Sequence, residues 1–401
     1  LTGKTKNKLL KKKQLITLLV HNLQANPIVR AYPIGLALEK LGYEVEVVGF
    51  LIGKNELYKP YANKLNFKTI YLEKESVISY ILGLPKILKL IKGDIIYAFK
   101  PLWTTLFLGL LASGFGFKKT IMLDVEDDEL FFSDANKSKF HSIFNFFFRN
   151  WNSINSYGKL LVLHCLLFFV KKRTVVSSKL RNRYGGDIIL HGPSEIIFNP
   201  KNYNKFNSRK RFNLPQDKIL ILFAGIPHEH KGVGTIVSAL KEMSDEFIFV
   251  AAGPKNHIEF KKAKNKLNER CILLGLIDNS EMPNLLSAVD ITPILQLKNI
   301  FSESQMPAKL FEAMSMGKTI IATATSDIAN ILVGEKNYKR GFIVNYNDTN
   351  QLKETLVYFK INKESIKKIQ KNAIEYFLNE ASVNANSKKL RSIMNGKNKF
   401  I

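Results

Sequence analysis

Residues 219–240 read ILILFAGIPHEHKGVGTIVSAL. The first six are a continuous apolar run of strand length, Gly225 marks a tight turn, and Lys231-Gly232 precede a run with helical periodicity. A strand buried on both faces and followed at once by a helix is the repeating unit of a parallel sheet. At the carboxyl edge of such a sheet, helix N-terminal amides and a loop meet, and anions bind there. The fold class follows if the unit repeats.

It repeats in both directions. Downstream, EFIFVAAG, CILLG, DITPIL and TIIAT alternate with helical stretches at 258–267, 281–286 and 308–316. Upstream, LITLLV, EVEVVGF, TIYL, DIIYAF and TIMLD alternate with helical stretches at 30–41, 76–91 and 104–112. The sequence predicts an α/β protein of two successive units, each a parallel sheet covered by helices on both faces. The expected divisions are a basic tail at 1–14, a first domain at 15–191, a linker at 192–217, a second domain at 218–375 and a terminal helix at 376–401. The linker assignment rests on an Asn-, Lys- and Pro-rich stretch with poor periodicity.

The 401 residues are 46% hydrophobic, enough to fill two cores of about 150 to 200 residues each. Lys and Arg number 60 against 34 Asp and Glu, a net +26. That excess points to an anionic partner: nucleic acid, a lipid surface or phosphorylated substrates. A Lys-, Asn- and Ile-rich coding bias would raise the charge without any function. Cys165 and Cys271 stand far apart in no metal-ligand spacing, which fits a reducing, cytoplasmic setting and no disulfide or zinc scaffold. The start has only a six-residue, mainly apolar run, 15–20, behind its lysines, too short for a signal-peptide core. No run reaches the roughly 18 to 20 apolar residues that span a bilayer.

Between 134 and 172 the alternation breaks into FHSIFNFFFRNW and KLLVLHCLLFFVKKR. Two readings stand: a pair of helices covering the first sheet, or an interfacial patch. In the second, aromatics enter lipid while Lys171, Lys172 and Arg173 meet anionic headgroups. Lys4, Lys6, Lys8, Lys11, Lys12 and Lys13 would strengthen that binding or form a solvated tail.

A second motif, MPAKLFEAMSMGKTIIAT at 306–323, has a proline just before a helix. Amides at Ala308, Lys309 and Leu310 then face the carboxyl edge and can hold an anion. Glu312, one turn inside, can accept hydrogen bonds from the vicinal hydroxyls of a ribose. Its plainer reading is a surface glutamate paired with Lys309, three positions earlier. Lys231 can neutralise a phosphate or be an ordinary loop lysine. Together the two motifs describe a site for a nucleoside diphosphate.

These motifs, with GLIDNSEMPNLLSAVDI between them, resemble in order and spacing the donor domain of GT-B glycosyltransferases of family 4. RTVVSSKLRNRYGG followed by HGPSEIIFNP resembles the end of that family's N-terminal domain. The resemblance implies a GT-B fold, two Rossmann-like domains facing a central cleft with the C-terminal helix packed back on the first. It also implies a nucleotide-diphosphate sugar as co-substrate, retention of configuration, and neither cofactor nor metal. Residue by residue, Lys231 falls on the diphosphate, where it is the catalytic charge, and Glu312 on the ribose. Gly225, Pro227, His230, Glu303, Ser304, Ala308, Lys309 and Leu310 complete the implied donor set. Two departures stand out. The family's Gly-Arg is Gly225-Ile226 here, leaving Lys231 with His228 or His230 beside it. The family's first glutamate, eight positions before Glu312, falls on Ser304, with Glu303 next to it.

In the first domain, DVEDDE at 124–129 follows the strand TIMLD and sets five carboxylates in six positions. Either the loop is a solvated helix start, or Asp124, Glu126 and Asp127 meet the acceptor at the cleft, Glu126 and Asp127 as the catalytic pair. Lys100, at the end of DIIYAFKP, is an acceptor-side residue that would meet an anionic group. His191 reads as a packing or capping residue. The expected acceptor is a glycan or lipid-linked molecule of cell-surface synthesis, with a possible anionic membrane surface as partner and no specific nucleic acid. The rival readings are an impaired relative, a metal-dependent GT-A enzyme using Asp124 and Glu126, and a basic membrane- or nucleic-acid-binding protein.

Overall fold

The computed structural model describes residues 13–24, 27–58, 65–130, 153–334 and 338–396. The first domain is built on seven strands: Leu15–Asn22 (β1), Glu44–Ile52 (β2), Asn66–Leu72 (β3), Ile95–Phe99 (β4), Thr120–Val125 (β5), Lys172–Val175 (β6) and Asp187–Ile188 (β7). Their order is β3-β2-β1-β4-β5-β6-β7, every pairing parallel. The second domain uses Ile219–Ala224 (β8), Phe247–Ala252 (β9), Cys271–Gly275 (β10), Ile291–Ile294 (β11), Thr319–Ala322 (β12) and Phe342–Ile343 (β13). Their order is β10-β9-β8-β11-β12-β13, again parallel throughout. The expected two Rossmann-like domains are present. Strand order reverses between β1 and β4 in one sheet and between β8 and β11 in the other, and a ligand crevice opens at such a switch point.

The apolar runs fill both faces of the sheets, as crossover helices require. Ile16, Leu18, Leu19 and Val20 of β1 are all buried, as are Leu220, Ile221 and Leu222 of β8. Ser76 and Ser177 each accept a bond from the amide three residues on and start the helices Val77–Leu90 and Ser178–Tyr184. One core joins the two domains: Leu123, Val175 and Leu180 share a cluster with Leu310, Phe311 and Phe377.

The helix Val383–Met394 packs on the first domain, its Val383, Leu390 and Ile393 among the buried side chains of the helix Pro27–Lys40. Asn386 fixes this return by donating to the carbonyls of Leu190, at 3.0 Å, and Ala381, at 3.1 Å. Gly192 lies so close to the Ala381 carbonyl that no Cβ fits there.

Two segments differ from their sequence reading. The 192–217 stretch is packed on the second domain for much of its length: Phe198 and Leu214 are buried with Leu220 and Leu222. Arg209, in the helix Lys205–Arg211, donates to the Ala288 carbonyl and to Asp290. The stretch lacks a clear periodicity because it is a short turn at Pro200–Asn202 and one seven-residue helix that buries an arginine. In 134–172, residues up to 152 lie outside the described set, as do the lysines before Lys13. The described helix Tyr157–Cys165 buries Leu160 and Leu163 in the shared core. The headgroup role expected of Arg173 is corrected, since its guanidinium donates to the carbonyls of Val170, Tyr184 and Leu167. Lys172 donates to the Met394 carbonyl. Among the described residues, no helix is long and apolar enough to cross a membrane.

Candidate functional site

A cavity of about 230 Å³ opens where β8 and β11 diverge. Lys231, Lys309 and Glu312 all line it, with Gln296, Gln305 and Pro307. Lys231 ends a short turn after β8, and Gly232 continues it in the left-handed region, at φ 68° with Leu295 against its Cα, a place only glycine fills. Lys309 and Glu312 come from the helix Ala308–Ser315, which begins at Pro307 with no side-chain cap. The amides of Ala308 and Lys309 are left for a ligand, whereas the Leu310 amide, expected to join them, already donates to the Pro307 carbonyl at 3.1 Å.

Among the described residues, none of these three charged side chains has a hydrogen-bond or ion-pair partner, so the pair with Lys309 that is the plainer reading of Glu312 is not formed. Burial lowers the pKa of Lys231. It brings Lys309 down to about 8, with Lys231 adding like-charge repulsion and Glu312 opposing both. Burial raises Glu312, and Lys309 opposes that. Lys309 Nζ stands 5.8 Å from the centre of the Phe223 ring, and three groups whose charge is disfavoured by burial, with no hydrogen-bond or ion-pair partner among the described residues, make a site that a diphosphate and hydroxyls would complete.

The remaining donor-set residues fall around the cavity rather than in it, apart from Ala308, which lines it. Gly225, at φ 123°, makes room for the Lys309 amine, which lies where its side chain would stand. Pro227 is buried, and His230 is exposed with its ring stacked on His228 at 5.5 Å. Leu310 belongs to the shared core. Glu303 accepts from the Ser326 amide at 3.3 Å. Ser304 does not present its hydroxyl to the cavity: it donates to the Phe301 carbonyl at 2.9 Å, while its own carbonyl accepts from Ser177 at 2.8 Å.

The first domain brings its own cluster to the facing switch point. His21 closes β1, Lys100 follows β4, and the acidic loop follows β5. Lys100 Nζ lies 2.6 Å from Asp127, 2.8 Å from Glu129 and 3.4 Å from Glu126. Burial alone would lower its pKa, but the three carboxylates outweigh that and hold it well above the usual value. The expectation that Lys100 meets an anionic acceptor is corrected: its charge is already matched.

Asp124 is also reassigned. It is fully buried, bound by Arg30 at 2.9 and 2.8 Å and by Thr174 at 2.5 Å, so it ties a helix to the sheet and faces no acceptor. The metal-binding pair with Glu126 falls with it. Asp128 is likewise held by Tyr184 and Arg183.

Glu126 is different. Burial raises its pKa to about 7, against the pull of Lys100 and with repulsion from Asp127 and Asp124. His191 Nε2 stands 3.9 Å from it, and burial, Arg30 and Lys100 keep that ring neutral. His21 was not singled out in the sequence. Burial and then Lys100 lower it to about 4, and its Nδ1 lies 2.6 Å from the Thr104 hydroxyl. Gln305 was also missed, although its neighbours were read. It lines the second domain's cavity and donates to Asp127 Oδ1 at 2.8 Å, joining the two clusters.

Residues 204–376 match the family described as glycosyl transferases group 1. No curated protein matches the chain. Among solved structures, a glycosyltransferase from Rickettsia africae ESF-5 is 18% identical with a TM-score of 0.70, over 96% of this chain and 98% of that one. Anabaena Alr3699/HepE in complex with UDP and glucose is 14% identical with a TM-score of 0.70, over 96% and 100%. WaaG, a glycosyltransferase involved in lipopolysaccharide biosynthesis, is 13% identical with a TM-score of 0.64, over 95% and 100%. At these identities the likeness establishes the shared fold. The chemistry comes from the matched domain: residues 204–376 carry a glycosyl transferases group 1 domain, and the chain that holds it is a glycosyltransferase of GT-B architecture.

Proposed function

We propose that the protein moves a sugar from a nucleotide-diphosphate donor to a glycan or lipid-linked acceptor of the cell surface. In this reading it is a retaining, metal-independent enzyme of family 4, cytoplasmic and peripheral at the inner face of the membrane. The observation that carries the reading is the meeting of Lys231, Lys309 and Glu312 in one cavity, each without a hydrogen-bond or ion-pair partner among the described residues. The complex of Anabaena HepE with UDP and glucose supports a uridine diphosphate sugar as the first donor to try.

Lys231 and the amides of Ala308 and Lys309 would stabilise charge developing on the leaving diphosphate, and Glu312 would hold the ribose. The acceptor hydroxyl would approach from the first domain, held by Glu126 and Asp127. The bond from the anomeric carbon to the diphosphate oxygen breaks, a bond to the acceptor oxygen forms on the same face, and the acceptor proton passes to the departing phosphate. No covalent nucleophile is assigned.

Calorimetry with a panel of nucleosides, nucleoside diphosphates and nucleotide sugars tests the donor site. Diphosphates should bind far more tightly than nucleosides; no binding by any member would refute the reading. An inverted product would refute retention, and activity lost to a chelator and restored by a divalent cation would refute metal independence.

A further inference from the structure

The helix Val77–Leu90 carries an outward stripe that nothing in the donor or acceptor clusters uses. Ile78, Ile81 and Leu82 are 72%, 58% and 71% exposed, while Tyr80, Gly83 and Ile87 face the core. Their spacing places them on one helical face, and Pro85, Lys86 and Lys89, all exposed, continue the same face towards the C-terminal end. Single exposed aliphatics are ordinary, but three within two turns form a contiguous patch that calls for a partner. No acid occurs within the helix.

The stripe lies at the cleft. The helix starts just beyond β3, at the carboxyl edge of the first sheet, and Glu75, two residues before it, has Oε1 at 3.6 Å from His21 Nε2. His21 closes β1 at that sheet's switch point. The apolar end is thus at the rim of the acceptor half, and the basic end points away from it.

We infer that this helix docks the first domain on an anionic lipid surface, with Ile78, Ile81 and Leu82 entering the acyl boundary and Lys86 and Lys89 meeting headgroup phosphates. Apolar residues beside lysines, with no carboxylate among them, are the pattern of an interfacial helix, and the net charge of +26 favours the same surface. The inference rests on the membrane-side acceptor proposed above: docking at this rim would hold the acceptor cleft against the bilayer that carries its substrate.

Co-sedimentation of the full chain with vesicles of phosphatidylcholine alone, and with phosphatidylglycerol added, tests it at physiological salt. The chain should pellet with the anionic vesicles. Ile78→Ser/Ile81→Ser/Leu82→Ser should reduce the bound fraction about tenfold, and Lys86→Glu/Lys89→Glu should abolish the preference for anionic lipid. Both variants should keep the thermal midpoint of the parent and its nucleoside diphosphate affinity. A parent chain that stays in solution would overturn the inference, as would a triple-serine variant that pellets like the parent. So would a triple-serine variant that only converts a dimer into monomers, since the stripe would then serve a second copy. The nucleotide titrations report on the donor site separately, so that reading can fail while docking stands, and the reverse.

Discussion

The Gln305 side-chain amide donates to Asp127 Oδ1 at 2.8 Å across the cleft, and the same Gln305 lines the donor cavity. One side chain therefore touches both halves of the proposed reaction. Gln305→Leu should lower kcat about tenfold through looser alignment and reduce stability by about 1 kcal/mol. Steady-state kinetics check it; a change in donor KM alone would remove the bridging role.

Lys309 is held near pKa 8 chiefly by burial. Its ammonium should strengthen diphosphate binding at pH 7 and fade as pH rises through 8 to 9, roughly, as the proton leaves. Lys309→Met should flatten that dependence in calorimetry. The sign for stability is opposite. A lysine with a lowered folded pKa disfavours the fold below that value, and relief comes as pH rises towards the unfolded value. Lys309→Met should therefore be more stable at pH 7, by about 1 kcal/mol.

Glu312→Ala should weaken binding of a nucleoside and of its diphosphate by the same factor, about tenfold, because the ribose is common to both. Loss confined to the diphosphate would place Glu312 elsewhere. Circular dichroism should leave the fold unchanged.

Glu126 titrates at about 7, raised mainly by burial. If its ionised carboxylate orders the acceptor hydroxyl, kcat/KM should climb through neutral pH, and Glu126→Gln should erase that limb. The unfolded chain ionises this group first, so its contribution to stability falls as pH rises from about 4.5 to about 7. Denaturant titrations should find Glu126→Gln more stable than the parent above neutrality.

Asp124→Asn should unfold more readily by about 3 to 5 kcal/mol, because Arg30 would be left buried without its carboxylate. Arg30 Nη1 already lacks a hydrogen-bond partner. Urea denaturation measures the loss; an unchanged midpoint with reduced activity would return Asp124 to the acceptor side.

The strands were legible because a parallel sheet buried on both faces writes itself as short apolar runs, and Lys231, Lys309 and Glu312 because each follows a local strand-turn-helix or proline-helix signal. What stayed hidden depends on partners far away in sequence. Asp124 reads like its acidic neighbours, and only Arg30, 94 positions earlier, removes it from the cleft. Lys100 reads as a free cation until Asp127, Glu126 and Glu129 fold around it. His21 draws no notice just past the apolar run 15–20, since nothing nearby in sequence marks the switch point it occupies. The Ser304 departure gained a physical account: its hydroxyl closes its own helix, and its carbonyl anchors Ser177.

The helix Val383–Met394 that covers Pro27–Lys40 also sets an order of assembly. During synthesis from the N-terminus, the strands of the first sheet emerge before any of the second, and Pro27–Lys40 can pack on β1 and β2 at once, yet its flank that meets Val383, Leu390 and Ile393 waits until those residues leave the ribosome. The half of the enzyme made first is completed last, with that one flank uncovered while the other half folds.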